Sequence, residues 1–488
     1  MRYPGEEPSG DEKLAILQRT ALNLFAQGDR RLTFTAQELG QGLKQALSEE
    51  GYGEAPAPWA NAVRVDFTDN SGILRGSLTQ GSFFLHLTIQ EFLAAGAIAR
   101  LINEKGWEAP ITIAGTKGRV RHVVGSKAWD PRWQEVIMLL AGQLRDPVPL
   151  LTLLADEKKD DVCRCRLALA ALCLPEVRST LSDNQSAIVD RITTAAMSCW
   201  VRHERNSTDA AVAHLTRALP ALGQVNGHLE GAPLLQWLCQ RLRDPDGDVR
   251  AGAAEAVGQI GEAVTQHPEV LSGLVAALHD RDELVRAKAA EAFRRIGAAA
   301  ARHPEVPPAL LQAALRDTDW FVRSGAVRAL EQLGAAAAQH PALLPAVEAA
   351  LHDAHPQVRS RAADLLRQLG AAPQPPELPA ALAHIARHDT DQNTDVSAQA
   401  ADAMEHLGAT APHHPVALLT LVQVALHDKD GLMRARAASA LEQLGATAAQ
   451  YPAVLPALVP ALHDEDGDVR ARAARLLEQL GAVATQRS

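Results

Sequence analysis

Aromatic residues make up only 4% of this 488-residue chain: 7 Trp, 3 Tyr and 8 Phe. Aromatics normally carry much of a globular core, so here small aliphatic side chains, above all alanine, must do it. That implies closely packed helices. Long apolar runs are missing too. None approaches the roughly 18 to 20 residues that span a bilayer, and the polar, acidic start from Met1 to Lys13 has no signal-peptide core, so the chain reads as cytoplasmic. Its five cysteines, Cys163, Cys165, Cys173, Cys199 and Cys239, are odd in number and too scattered for a disulfide framework. Cys163 and Cys165 would lie about 200° apart around a helix, so one helix cannot offer both to a metal. Basic charge is also short: 48 Lys+Arg against 58 Asp+Glu, with 23 against 31 from Leu235 onward. Binding a phosphate backbone needs a basic stripe, which disfavours nucleic acid as a partner.

What is abundant is repetition. A segment Leu-x-Asp, an acidic turn, Val-Arg and an alanine-rich stretch ending Leu-Gly recurs down the second half. Leu278-His279-Asp280 to Val285-Arg286 to Ile296-Gly297 is one copy, and Leu462-His463-Asp464 to Val469-Arg470 to Leu480-Gly481 is another. Arginine stands at Arg250, Arg286, Arg323, Arg359, Arg434 and Arg470, with Ser397 the exception; the closing glycines, from Gly261 to Gly481, are spaced by 36, 37, 36, 38, 37 and 36 residues. Each copy reads as two helices. A glycine just past a helix end stops it, a proline such as Pro268 or Pro304 starts the next, and the turn's last Asp accepts from free N–H groups of the second helix. One such pair cannot bury its apolar face alone, whereas a stack can, so the pattern predicts a mainly α fold built as an α-solenoid.

The residues D-x-D-x-D-V-R-x-x-A-A-x-x-L-x-x-L-G resemble HEAT repeats of the short, alanine-rich bacterial kind over about half the chain. A degraded unit is expected at Asp160-Asp161-Val162-Cys163-Arg164 followed by Leu167 to Ala171, with amphipathic helices at Ala187 to Arg202 and Ala210 to Leu219 and irregular units from near residue 135.

The amino-terminal third has helical spacing between Asp11 and Leu47 with a cap at Thr35. A turn then opens at Asp69-Asn70-Ser71-Gly72, and a strand-like Gly81-Ser82-Phe83-Phe84 runs into a helix near Thr88. This suits a small helical, winged-helix-like α+β domain. Phe84-Leu85-His86-Leu87-Thr88-Ile89-Gln90-Glu91-Phe92-Leu93-Ala94-Ala95 resembles the winged-helix motif of NACHT-type signal-transduction NTPases, and Trp133 to Gly142 is similar to the segment leading into their repeat sensor. The resemblance implies a family that oligomerises on nucleotide exchange and a nucleotide-sensing role for His86. A phosphate-binding loop needs G-x-x-x-x-G-K-[ST], and no Gly-Lys pair occurs anywhere in the chain. It therefore resembles only the carboxy-terminal part of such a protein, and an NTPase core encoded separately is one implied partner. Three domains are expected: 1–105, winged-helix-like; 106–234, divergent helical repeats and connector; and 235–488, seven HEAT-type repeats.

No catalytic, cofactor or metal constellation emerges. Thirteen of 18 histidines lie from His267 on, most in two columns, before the turn Asp or before Pro. Metal ligands must converge to within about 4 Å, whereas equivalent positions in stacked units lie roughly 8 to 10 Å apart, so turn and cap roles are expected of them. The Asp column is expected to bond turns and nearby arginines. Di-iron HEAT hydroxylases need several His-Glu pairs and only His203-Glu204 occurs, while a HEAT glycosylase needs a basic, aromatic-lined face. An enzyme-maturation factor of the bilin-lyase type stays open as the alternative to a non-catalytic interaction and sensing module. For a protein partner, the positions two, five and nine after the repeat arginine share one helix face. They include Lys288, Glu291, Arg295, Arg361, Asp364, Arg436, Arg472 and Arg475, expected on the concave side. Trp320-Phe321 interrupts the acidic turn pattern and is either a binding hot spot or tucked onto the next repeat.

Overall fold

The computed structural model describes residues 9–27, 33–52, 73–77, 81–84, 86–113, 116–182, 185–203, 210–334, 343–351, 353–369, 434–435, 438–439, 442 and 454–486. It is mainly helical, and no described helix is long and apolar enough to cross a membrane. The chain divides into two compact units, Met1–Leu234 and Leu235–Ser488.

In the first unit, helices α1 (Gly10–Ala26) and α2 (Ala36–Glu49) each open with a capping box, Ser9 with Glu12 and Thr35 with Glu38. Each box satisfies two otherwise free N–H donors. Strands β1 (Thr33–Phe34), β2 (Leu74–Ser77) and β3 (Gly81–Phe84) form an antiparallel sheet in the order β1-β3-β2, with Thr33 opposite Phe83 and Leu74 opposite Phe84. The turn expected at Asp69 to Gly72 lies outside the described residues. Helix α3 (Leu87–Lys105) follows and packs on α1. Ile16, Leu24, Phe34, Leu39, Leu43, Leu74, Phe84 and Leu93 close the core between these elements, with Phe34 edge-on to Phe84. This end uses aromatics, of which the repeat array has only Trp237, Phe293, Trp320, Phe321 and Tyr451.

A hairpin, β4 (Pro110–Ile113) and β5 (Thr116–Arg119), leads through α4 (Val120–Lys127) to a run of helices: α5 (Gln134–Gln143), α6 (Val148–Leu154), α7 (Cys165–Val177), α8 (Ser186–His203) and α9 (Ala210–Val225). Helix α5 packs on α3 and α7, and α7 on α9. The degraded unit is real as a helix start but not in the expected register. Val162, aligned by pattern with a buried valine, is 89% exposed, and Arg164 sits at the N-cap of α7 in the left-handed region. The buried arginine is Arg166, whose guanidinium donates to the carbonyls of Lys159 and Leu153. Asp160 accepts from the N–H groups of Arg166 and Leu167, which shifts the helix start two residues onward.

The second unit is built from helix pairs. Its second helices, α10 (Gly247–Ile260), α12 (Glu283–Ile296), α14 (Trp320–Leu333) and α16 (Pro356–Leu369), pack directly on one another in series. The first helices, α11 (Pro268–Ala277), α13 (Val306–Arg316) and α15 (Leu343–Leu351), pair with the second helices that follow them. Alanine sets the spacing: a Cβ built on Gly258 of α10 would lie 2.7 Å from the Cα of Ala292 on α12. Gly261, Gly297 and Gly334 end their helices at φ of 72°, 70° and 56°, values that favour glycine. Single 3-10 segments, Gly261–Gln266 and Gly297–Arg302, then precede the next helix, which the proline pattern alone does not show.

In the last repeat, α17 (Val454–Ala461) pairs with α18 (Gly467–Gln486), which runs straight through Gly481 instead of ending there. Glycine inside a helix costs only about 1 kcal/mol.

Candidate functional site

The Arg and Asp columns of the repeat are joints between neighbours. Arg250 forks onto the carboxylate of Asp280 in the next repeat through Nε and Nη2, both at 2.7 Å. Its Nη1 donates to the carbonyls of Asp244 and Pro245 in its own turn, at 2.8 and 3.0 Å. Arg286 and Asp317, Arg323 and Asp353, and Arg434 and Asp464 repeat the two-pronged bond at 2.6 to 3.0 Å. The paired Asp also accepts from a turn N–H, Asp280 from Asp282 and Asp464 from Asp466. The turn's last Asp caps the second helix: Asp282 accepts from Leu284 N–H and Asp319 from Phe321 and Val322 N–H. One guanidinium therefore closes its own turn and locks it to the next repeat, which is the geometry in which Arg outperforms Lys. The arginine holds the Asp280 and Asp464 carboxyls below the usual carboxylate range, and Asp280 raises Arg250 in return.

The charged face expected to meet a partner is largely paired within the array. Lys288 bonds Glu255 on the preceding second helix. Burial would raise the Glu291 carboxyl, but Arg294 and Arg295 hold it down at about 2. Arg361 lies 3.5 Å from Asp364. Arg472 donates to Ser439 at 2.7 Å, and Arg475 forks onto Glu442 at 2.7 and 3.3 Å. Arg436 lies outside the described residues. Glu255 and Glu442 escaped sequence reasoning. The available signal was the match between position two of one repeat and position five of the one before, which Lys288–Glu255 and Arg472–Ser439 both obey.

Trp320 is tucked onto the next repeat, one of the two roles left open for the pair. Trp320 stacks flat on His355 of the next repeat, centroids 3.8 Å apart and planes 8° off parallel, while Phe321 meets it edge-on at 5.7 Å. Trp320 nevertheless stays 39% exposed and Phe321 59%. The position of Phe321 in the preceding repeat is held by Leu284, 45% exposed, so the turn edge presents large apolar groups in two successive repeats. His355, which seats the indole, was not singled out from the sequence.

The remaining candidates have local roles. His86 is the N-cap of α3, its Nδ1 accepting from Thr88 N–H at 3.2 Å. His279 bonds the carbonyl of Val275 at 3.0 Å, and His303 Nε2 lies 3.2 Å from Ser272 Oγ of the repeat before. Among the described residues no three His, Cys, Asp or Glu side chains are grouped to hold a metal ion. Burial pushes the Cys165 thiol up to about 12 and Cys239 to about 11, which favours the protonated form of both.

No curated protein matches the chain in sequence. Among solved structures it is similar to Kap121p bound to Pho4p at 13% identity and a TM-score of 0.46, covering 98% of this chain and 50% of that one. It is similar to the karyopherin Kap121p bound to the SUMO protease Ulp1p at 14% and 0.48, covering 98% and 50%. The designed armadillo repeat protein YIII(Dq)4CqI follows at 21% and 0.30, covering 50% of this chain and 99% of that one. The chain thus spans about half the length of the Kap121p structures it matches. The family model described as HEAT repeats matches residues 205–294, 235–331, 307–405 and 418–486. Those matches take in more than half of the sequence, with the Arg–Asp joints inside them, and the chain belongs to the HEAT-repeat family.

Proposed function

We propose that this chain is a non-catalytic protein-binding scaffold, the sensing arm of a NACHT-type signalling system, and that its partner docks across Trp320 and Phe321. The observation that carries the docking site is the aromatic edge itself. Elsewhere in the described array the exposed large hydrophobics are the aliphatic Leu284, Leu315 and Val459, whereas here an indole stacked on His355 stands beside a solvent-facing phenyl ring. A pre-ordered, half-covered aromatic pair has little entropy left to lose on binding and much apolar area to bury. Lys288, Glu291, Arg295, Arg361, Asp364, Arg436, Arg472 and Arg475, on the expected concave side, then serve selectivity rather than affinity, since a partner must trade for bonds most of them already make.

The NACHT reading is supported by the motif around His86 and by the antiparallel β1-β3-β2 sheet, reached in the order α1-β1-α2-β2-β3, which suits a winged-helix element. The DNA beside this reading frame is expected to encode a phosphate-binding loop, and that NTPase core, purified, should bind this chain. In isothermal titration, Trp320→Ala with Phe321→Ala should weaken binding at least tenfold, while Arg316→Gln should leave it unchanged. Equal affinity of the double variant would remove the aromatic edge from the interface, and absence of such a reading frame would remove the NACHT assignment.

Without a phosphate-binding loop the chain alone should neither hydrolyse ATP nor bind it tightly. Phosphate release above that of a His86→Ala control would overturn this.

A further inference from the structure

A second site lies in the first unit. Between the start of α7 and one face of α8 runs a groove of about 460 Å³, lined by Glu157, Arg164, Leu167, Asp190, Arg191, Thr194, Ala195, Ser198, Cys199 and Arg202. Arg191, Thr194, Ser198 and Arg202 follow one another at helical spacing along α8, so they face the same way. Arg164 meets them from the neighbouring chain segment, in a backbone conformation (φ 54°) that costs a residue with a Cβ about 1 to 2 kcal/mol. Strain of that kind is a pointer to function when the strained side chain lines a cavity.

The electrostatics run against the rest of the molecule. The protein carries a net charge of -10, yet three guanidinium groups line this groove against two carboxylates. One of these, Asp190, is engaged by the backbone N–H of His228 at 2.7 Å and lies 3.3 Å from its Nδ1. Arginines 191 and 202 are separated by roughly 16 Å of helix and line the groove on either side of the hydroxyls of Thr194 and Ser198. Leu167 and Ala195 provide an apolar floor.

We propose that this groove binds a small molecule carrying a phosphate group. A carboxylate has two oxygens and saturates one arginine fork, whereas a phosphoryl group offers three oxygens and close to two charges, which matches three guanidinium groups and two hydroxyls. The volume is that of a small-molecule site.

The test uses the full chain at low salt with inorganic pyrophosphate as the titrant, followed by calorimetry. Pyrophosphate is expected to bind with a Kd below about 1 mM, and Arg191→Gln with Arg202→Gln should weaken it at least tenfold. Both side chains are exposed, so the variant should keep its thermal midpoint, and Thr194→Val supplies a milder variant with a smaller loss. Arg302→Gln, an arginine of the repeat array, should bind as the parent does. Undetectable heat with the parent, unchanged affinity in the double variant, loss in Arg302→Gln, or citrate binding as tightly as pyrophosphate would each overturn the proposal. None of these outcomes depends on Trp320, Phe321 or an NTPase partner.

Discussion

Arg250→Ala is expected to destabilise the repeats it joins by about 3 kcal/mol, the cost of removing one partner of a covered ion pair. The magnitude follows from what the change leaves behind. The Arg250 and Asp280 side chains are only 7% and 14% exposed, so the Asp280 carboxylate loses its two strongest donors without gaining full hydration. The carbonyls of Asp244 and Pro245 lose theirs as well. Asp280→Ala should cost a similar amount by stranding the guanidinium. The double variant should cost less than the sum, with a coupling of at least about 1 kcal/mol. Urea denaturation followed by helical circular dichroism reads this, and because a solenoid's stability is a sum of neighbour terms, the loss should show as a new low-denaturant phase. A single transition with an unchanged midpoint would mean that the joints are ornamental.

The same pairs set the acid limit of the array. Asp280 and Asp464 have folded pKa values lowered by their arginines below the ordinary value of 3.8. A lowered carboxylate contributes stability that is complete above its unfolded pKa and is lost as pH falls through its folded one. Stability from these joints should therefore be flat across neutral pH and decline only below about pH 4. Asp280→Asn should weaken the acid sensitivity because an amide has no charge to lose.

These joints also show where sequence reading reaches and where it stops. The period, the helix pairs, the capping Asp and the closing glycines could all be read because each is a local rule repeated many times. That Arg and Asp hold turns together was legible from their columns. The crossing from Arg250 of one repeat to Asp280 of the next, 30 residues on, needed coordinates. Single-copy features were harder. Val162 and Arg164 resemble the repeat pattern only loosely, with Cys163 between them, and Asp160 captures the amides of Arg166 and Leu167 and moves the helix start, so the pattern gave the wrong arginine. Gly481 was read as a stop because a glycine just past a helix end stops it, yet the helix continues through it to Gln486. The groove on α8 draws on residues from 157 to 202 that form no motif, and the pairing of Lys288 with Glu255 depends on helix register across repeats. Such contacts are set by packing, which a linear pattern constrains only through its period.

Phe293→Ala should be among the most damaging single changes in the array, costing about 3 to 5 kcal/mol, while Phe321→Ala should change stability by less than about 0.5 kcal/mol. The two residues are the same chemically and sit one repeat apart. Phe293 is fully buried on α12 and Phe321 is 59% exposed at the turn edge. In a core made largely of alanine, one phenyl ring fills a volume that no neighbour can supply, and the cost of deleting it depends on how far the surroundings collapse. Here they cannot collapse far. Helices α10 and α12 already touch backbone to backbone at Gly258 and Ala292, where even a methyl group would come within 2.7 Å. The cavity left by Phe293 should therefore stay open, and the loss should lie at the upper end of the range. Restoring volume with Phe293→Leu should recover more than half of it in the same urea titration. If Phe293→Ala and Phe321→Ala prove equally harmless, tight alanine packing does not hold these repeats together, and the scarcity of aromatics would need another cause.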